Sequence, residues 1–153
     1  MTSAYIAIGA NLGDRRQNIH RALDLLRGAA GVEIVCVSDL IETEAVGGPA
    51  GSPPYLNGAA AIRTILPPHD LLRILLAIEA EIGRLRQIKW EPRLIDLDLL
   101  LYDDQVVQTP DLVVPHPLMH TRRFVLEPLA QIAPDILHPV LKQTVRQLLA
   151  ILP

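Results

Sequence analysis

A strongly apolar stretch of the chain reads LIDLDLLL over residues 94–101, and only Asp96 and Asp98 interrupt it. The stretch predicts a central, well-packed strand. Side chains alternate between the two faces of a strand, so both aspartates point the same way, roughly 6.5–7 Å apart at the backbone. Ile95, Leu97 and Leu99 then turn to the opposite face and pack on the core.

The two aspartates need a reason to be there, because aspartate is disfavoured inside strands. Neighbouring carboxylates repel each other unless a cation lies beside them. Hard oxygen ligands suit Mg²⁺, which one or two carboxylates commonly hold together with waters and substrate phosphates. The pattern therefore favours a magnesium site over the alternative, a solvated strand face on which Asp96 and Asp98 are exposed and idle.

The segments before this strand predict an α+β fold. A short apolar run at 4–8 is followed by a helix that Asp14 caps, with Gln17 three residues later, and Gly28 to Gly31 end that helix. Residues 32–43 predict one long strand, 44–54 a Gly- and Pro-rich loop, and 55–65 a further strand. A second helix opens at Pro67-Pro68. Its predicted buried stripe is Leu72, Leu75, Ile78, Ile82 and Leu85.

The resulting order β-α-β-β-α-β is that of the ferredoxin-like fold, an antiparallel sheet with both helices on one face. Extra short strands near Val106-Val107 and two short helical stretches, 124–132 and 144–149, follow the strand that carries the aspartates.

Composition limits the function classes. With 153 residues, half of them hydrophobic, we expect one domain spanning 1–153. The net charge of −3 gives no basic field for nonspecific nucleic-acid binding. The N-terminus lacks a basic signal-peptide region and no apolar run is long enough to span a bilayer, so a cytoplasmic protein is expected. The single cysteine, Cys36, lies between valines and is expected to be a buried thiol rather than a nucleophile.

Cations cluster around the two aspartates. They are Arg84, Arg86, Lys89, Arg93, Arg122 and Arg123. Arginine forks match the oxygen geometry of phosphate, and a metal next to arginines is how phosphoryl transfer is stabilised. A P-loop sequence is absent. His116, held between two prolines, is either a phosphate or nucleotide contact or a structural residue.

The chain's five aromatic residues are better candidates than usual for ligand contact, because the core does not need them: Tyr5, Tyr55, Trp90, Tyr102 and Phe124.

Six blocks of sequence, in their order and spacing, resemble a known family, the 6-hydroxymethyl-7,8-dihydropterin pyrophosphokinases of folate biosynthesis. The blocks are AIGANLGD at 7–14, YLN at 55–57, IE at 78–79 with GR at 83–84, WEPRLIDLDLL at 90–100, VPHP at 114–117 and RRFVLEPL at 122–129. The resemblance covers nearly the whole chain.

The resemblance implies transfer of a pyrophosphoryl group from ATP to the hydroxymethyl group of a reduced pterin, with release of AMP. It implies that Asp96 and Asp98 hold two Mg²⁺ ions, and that Arg84 and Arg93 act with them in catalysis. The implied phosphate contacts are Arg84, Arg86, Arg93, His116 and Arg122. The implied adenosine contacts are Glu79 and Leu99, with Trp90 closing over the site. The implied pterin contacts are Thr43, Val46, Asn57 and Asp96, with Tyr55 and Phe124 on the two ring faces.

The chain departs from the family pattern at three positions: Glu91 stands where a small residue is usual, Glu44 where proline is common, and Leu76 where some members have a polar nucleotide contact. Two other functions remain open from the residues alone. One is a noncatalytic ferredoxin-like domain that binds a small metabolite. The other is a Mg²⁺-dependent phosphotransferase or phosphohydrolase with a different acceptor. Small-molecule substrates and a monomer or weak homodimer are expected.

Overall fold

The computed structural model describes residues 1–44, 54–83 and 94–153. The strands are β1 (Thr2–Ala10), β2 (Val32–Val37), β3 (Ile41–Thr43), β4 (Tyr55–Thr64), β5 (Asp96–Tyr102), β6 (Val107–Gln108) and β7 (Val113–Val114). The helices are α1 (Arg15–Arg27), α2 (Pro68–Gly83), α3 (Arg123–Ile132) and α4 (Val145–Ala150), and a single 3₁₀ turn covers Met119–Thr121.

The main sheet is antiparallel and runs in the order β2, β4, β1, β5, with β3 paired to β4 beyond the end of β2. The first and last strands of the core, β1 and β5, are therefore neighbours. Within the described residues β5 is the edge strand of this sheet, so its predicted central position is wrong; it is apolar because cores cover both of its faces. Strands β6 and β7 form a separate two-stranded ribbon. The fold class is α+β, as the sequence predicts.

Helices cover both faces of the sheet. On one face, α1 and α2 bury Ile19, Leu26, Leu71 and Leu75 in one core with Ile6 of β1. On the other face, α3 and α4 build a second core that contains Leu126, Leu129 and Leu148. The first core carries the two longer predicted helices. The second carries α3 and α4, which confirm the helical stretches predicted at 124–132 and 144–149.

Local signals explain where the helices begin. Asp14 caps α1 by accepting a hydrogen bond from the Gln17 backbone N–H at 3.0 Å, as predicted. Thr144 and Gln147 form a complete capping box at the start of α4.

The predicted long strand over 32–43 is wrong, because the chain forms two strands separated by residues 38–40. Side chains interrupt the ladder there. The Ser38 hydroxyl accepts from the Ala59 N–H at 2.8 Å, and the Asp39 N–H donates to the Gln131 side chain of α3 at 2.9 Å. These partners come from distant segments, so no local pattern reveals the break.

Smaller differences concern boundaries and burial. Strand β1 extends to Ala10, beyond the predicted apolar run at 4–8, so Gly9 lies inside the strand. In α2, Leu71 is buried in place of Leu72, which is half-buried, and Leu85 lies outside the described residues. Cys36 is only half-buried, because β2 is an edge strand.

Tyr102 is a core residue and not a ligand candidate: it is buried and its hydroxyl donates to the Leu66 carbonyl at 2.5 Å. No helix among residues 1–44, 54–83 and 94–153 is long and apolar enough to cross a membrane.

Candidate active site

The two aspartates of β5 lie on the face of the sheet that carries α3 and α4. Leu97 and Leu99 point into the opposite core with α1 and α2, as the alternation predicts. Strand β5 pairs with β1, and the ladder sets Gly9 opposite Asp96 and Ala7 opposite Asp98. These two small residues therefore lie on the same face of the sheet as the aspartates. Residues this small leave open space above the sheet next to both carboxylates.

A β-bulge ends this open region. The β1–β5 register shifts between Tyr5 and Ile6, so that Leu101 is opposite Tyr5 and Leu99 is opposite Ile6. The extra residue lets both Leu100 and Leu101 pack in the second core, under α3. The two carboxylates therefore lie directly beside the second hydrophobic core.

The cavity above the sheet has a volume of about 560 Å³. It unites residues from four parts of the chain for which metal, phosphate or pterin binding is predicted. Those that line it are Thr43, Tyr55, Asn57, Asp96, Asp98, Arg122 and Phe124. Glu44 also lines it, so the departure at that position faces the same space.

The register of the sheet sets the spacing between the two ends of this cavity. Asn57 of β4 and Asp96 of β5 are both opposite Gly9, so the three residues form one row across the sheet. Two inter-strand steps separate the amide from the carboxylate, roughly 9.5 Å at the backbone. A bicyclic ligand bound at Asn57 would therefore extend toward Asp96.

Asn57 is buried and held in place. Its side-chain amide donates to the Thr43 hydroxyl at 2.7 Å. Its Oδ1 lies against Gly9, where an added Cβ would come within 3.1 Å. Among residues 1–44, 54–83 and 94–153 the bond to Thr43 is the amide's one side-chain hydrogen bond, which leaves its carbonyl and its second N–H for a ligand that presents complementary groups.

Arg122 and Phe124 reach the cavity from the start of α3. Arg122 is the residue just before the helix, and its guanidinium carbon lies 5.6 Å from the centroid of the Phe124 ring. This separation is typical of a cation–π contact. A positive charge and an aromatic face are thereby held next to each other at the same wall.

His116 lies next to the cavity but does not line it; it borders a smaller pocket of about 210 Å³. Its Nδ1 accepts from the Leu118 backbone N–H at 3.1 Å, which leaves the ring proton on Nε2 in the neutral form. Burial lowers the pKa of His116, the Asp98 carboxylate opposes that effect, and the Arg122 guanidinium adds to it. The three side chains are thus electrostatic neighbours.

The two residues assigned to adenosine do not line the main cavity. Leu99 is buried in the core under α1 and α2, so only its backbone groups are available to a ligand. Glu79 is half-buried on α2 and accepts a hydrogen bond from the Leu97 N–H at 2.8 Å.

The donor set fits Mg²⁺ better than a transition metal. Across the described ranges, no group of three or more His, Cys, Asp or Glu side chains is arranged to hold a metal. Two carboxylates on one strand face, open to a cavity, match an ion that takes most of its ligands from water and phosphate.

Comparison with known proteins agrees with this geometry. The family model described as 7,8-dihydro-6-hydroxymethylpterin-pyrophosphokinase (HPPK) matches residues 5–134. The 2-amino-4-hydroxy-6-hydroxymethyldihydropteridine pyrophosphokinase of Pseudomonas aeruginosa is 46% identical over 135 residues, which are 88% of this chain and 83% of the relative. The chain belongs to this pyrophosphokinase family.

Other relatives extend the comparison. The enzyme of the same name from Bacillus subtilis is 44% identical over 87% of this chain and 79% of its own length. Among solved structures, wild-type HPPK-DHPS of Plasmodium falciparum with SDX-DHP superposes with a TM-score of 0.75 at 15% identity. That match covers 98% of this chain and 43% of the longer one, and it shows the shared fold alone.

Five predicted site residues of this family member lie outside the described residues: Val46, Arg84, Arg86, Trp90 and Arg93. Glu91 also lies there. Two further residues that support the site are not predicted from the sequence. Gly9 backs the Asn57 amide, and Arg15 donates to the Pro54 carbonyl at 2.7 Å, where the chain returns to the cavity. The only sequence signal for Gly9 is its place in the AIGANLGD block.

Proposed function

We propose that the protein transfers the pyrophosphoryl group of ATP to the hydroxymethyl group of 6-hydroxymethyl-7,8-dihydropterin, releasing AMP, in folate biosynthesis. One observation carries the proposal. A paired-carboxylate site and a buried amide with aromatic neighbours open onto the same cavity, in a row fixed by the sheet register. Family membership supports the same reaction.

For the metal, we propose that Asp96 and Asp98 hold two Mg²⁺ ions. Bound magnesium would neutralise charge on the phosphates and acidify the attacking hydroxyl. The two aspartates supply hard anionic oxygens on one side, and their position on a packed strand keeps both carboxylates directed into the cavity.

For the pterin, we propose that Asn57 pairs with the amide edge of the ring while Tyr55 and Phe124 contact its faces. Thr43 orients Asn57, as their hydrogen bond supports. Val46 is proposed as a further contact. A flat, hydrogen-bonding heterocycle requires aromatic surfaces and a group that donates and accepts at once.

For ATP, we propose that Arg122 and His116 contact the phosphates together with Arg84, Arg86 and Arg93. Neutral His116 would donate from Nε2, because its Nδ1 is engaged by Leu118. Adenosine would lie by the backbone of Leu99 and by Glu79, with Trp90 over it.

We also propose the finer features of the whole protein: a ferredoxin-like core, a single domain over 1–153, a monomer or weak homodimer, and action in the cytoplasm. The strand order β2, β4, β1, β5 with every pair antiparallel supports the ferredoxin-like core.

The test is AMP release from ATP, measured with and without 6-hydroxymethyl-7,8-dihydropterin and with and without Mg²⁺. We expect AMP only when both are present. Equal AMP without the pterin would overturn the assigned acceptor and favour another phosphotransferase or phosphohydrolase. Metal-independent pterin binding without any turnover would favour a noncatalytic binding domain.

A further inference from the structure

The outer edge of β5 is held by groups from outside the sheet. Within the part of the chain that the structure describes, β5 pairs in the main sheet with β1 only. The backbone N–H of Leu97, the residue between the two aspartates, donates to Oε2 of Glu79 at 2.8 Å. Farther along the same strand, the Leu100 carbonyl accepts from the His116 backbone N–H at 2.9 Å. Of these two hydrogen bonds, the one from Leu97 is accepted by a side chain, and Leu97 is the direct neighbour of both aspartates.

We propose that Glu79 is a positioning residue for the metal site: its carboxylate fixes the Leu97 peptide and thereby the directions of Asp96 and Asp98. This inference rests on the proposed function, because it assumes that the two aspartates hold metal. It goes beyond the adenosine contact that the resemblance implies for Glu79, since it assigns the residue an effect on the carboxylates through the backbone.

The geometry favours this assignment over an incidental contact. Glu79 lies on α2 between Ile78 and Ile82, both buried against the sheet, so its backbone is rigidly docked. A hydrogen bond to an ionised carboxylate is roughly twice as strong as a neutral one. The Glu79–Leu97 hydrogen bond therefore connects a docked helix to one of the two peptide groups between the metal-ligand candidates.

The bond matters because the two carboxylates need a fixed separation to act as one metal site. Two like charges on neighbouring positions of one strand face repel each other when no cation is bound. An edge strand has no neighbour on its outer side to resist twisting. Without Glu79, the Leu97 peptide is held by the β1 ladder on its inner side alone, and the separation of the two carboxylates is less firmly fixed.

The experiment uses three variants of the full chain. Glu79→Ala removes the acceptor, and Glu79→Gln keeps a side-chain oxygen that accepts from Leu97. Glu81→Ala is the matched control, since it removes an exposed carboxylate of the same helix that faces Arg21 of α1. The probe is Mn²⁺ titrated in the presence of inorganic tripolyphosphate, with free Mn²⁺ followed by electron paramagnetic resonance. Tripolyphosphate has no adenosine, so an adenosine contact cannot affect it.

We expect Glu79→Ala to weaken Mn²⁺ binding about tenfold, at the low end of the 10- to 100-fold typical for groups that orient metal ligands. Glu79→Gln and Glu81→Ala should bind Mn²⁺ within about twofold of wild type, since each keeps the Leu97 acceptor. Hydrogen exchange of the Leu97 amide, followed by NMR, should accelerate in Glu79→Ala alone.

Unchanged Mn²⁺ affinity in Glu79→Ala would overturn the proposal, and so would equal weakening in Glu79→Gln, which would indicate an effect of charge. If Glu79→Ala proves too unstable to titrate, Glu79→Leu replaces it: leucine keeps side-chain bulk on α2 but has no oxygen to accept from Leu97, so the same tenfold weakening and faster Leu97 exchange are expected, and wild-type values would overturn the proposal. Failure of the proposed function is seen separately, as wild-type protein that binds Mn²⁺ and tripolyphosphate but releases no pterin-dependent AMP.

Discussion

The two faces of the sheet are built from the same strands but differ in what they leave open. Toward α1 and α2, β1 presents Ala4, Ile6 and Ile8, all buried, and the space is filled by helix side chains. Toward α3 and α4, the same strand presents Tyr5, Ala7 and Gly9. These residues become smaller along the strand, and the two smallest are opposite the aspartates of β5. The first face is a continuous core, whereas the second is a core at one end and a cavity at the other.

The difference shows how one sheet can be stabilised by a hydrophobic core on one face and hold a candidate active site on the other. Burying an unpaired charge in a packed face is costly, and the charged groups lie where small residues on β1 leave space above the sheet. The functional face then needs its own supports, such as Thr43 for Asn57 and Glu79 for the β5 backbone. Substitutions on the two faces should therefore fail in different ways.

The largest expected effect is on the open face. Asp96→Ala and Asp98→Ala should each lower turnover by at least about 10²- to 10³-fold, the loss typical when one preorganised electrostatic group is removed. The unfolding temperature should be unchanged or slightly higher, because deletion of one carboxylate relieves repulsion on β5. Steady-state AMP release and thermal unfolding measure the two quantities. Asp104→Ala, an exposed aspartate just beyond β5, is the control. Retained turnover in both site variants would contradict the metal site.

The packed face should show the opposite response. Ile6→Ala removes a fully buried side chain from the core under α1 and α2 and should cost about 2–5 kcal/mol of unfolding free energy. Turnover per folded molecule should stay near wild type. Urea unfolding and AMP release at low temperature check both parts. Val35→Ala, at an exposed position of β2, should change stability by less than about 0.5 kcal/mol. An Ile6→Ala protein that is stable but inactive would break the division between the faces.

The sequence predicts the packed face better than the open one. Periodicity alone identifies α1, α2 and the facing of Leu97 and Leu99 away from the aspartates, because burial on one side imposes that pattern locally. The break at 38–40 depends on Gln131 of α3, and the turn of both Leu100 and Leu101 into the second core depends on a bulge against β1. Such features arise from partners far along the chain, which no local pattern encodes.

The candidate site divides in the same way. Alternation along the strand assigns Asp96 and Asp98 to one face, whereas Asn57, Tyr55 and Phe124 come from family resemblance and meet only in three dimensions. Gly9 and the Glu79–Leu97 bond escape sequence reasoning, since a glycine within a strand and a glutamate on a helix have many ordinary explanations.

Gly9→Ala tests whether the open face needs a residue without a side chain beside Asn57, and a moderate effect is expected. The added Cβ would lie 3.1 Å from Asn57 Oδ1, so the amide must shift. We expect KM for the pterin to rise about tenfold, equivalent to about 1.4 kcal/mol, with KM for ATP unchanged. Gly28→Ala is the control, because a Cβ there meets its nearest atoms at 3.7 Å and needs no unusual backbone angle. Equal increases in both KM values would indicate a general distortion of the sheet.

The smallest expected effect concerns the packed end of the second face, where residues 138–143 form the turn before α4. His138 is buried, and its Nδ1 accepts from the backbone N–H groups of Val140 at 3.2 Å and Leu141 at 3.1 Å. These two hydrogen bonds require Nδ1 to be unprotonated, so the folded protein favours the neutral ring. Burial, and after it the neighbouring His120, lowers the pKa of His138 below its usual value.

The direction of the pH effect follows from this shift. As pH falls below about 6.5, the unfolded chain takes up a proton on this ring before the folded chain does, so stability declines until the lower folded pKa is passed. Thermal unfolding of wild type and His138→Asn at pH 7.5, 6.5 and 5.5 isolates the contribution, since other titrating groups are common to both. Wild type should lose more stability between pH 7.5 and 5.5 than the variant does. Parallel losses would mean that the turn accepts a charged His138, and that this end of the second face is less tightly closed than its hydrogen bonds indicate.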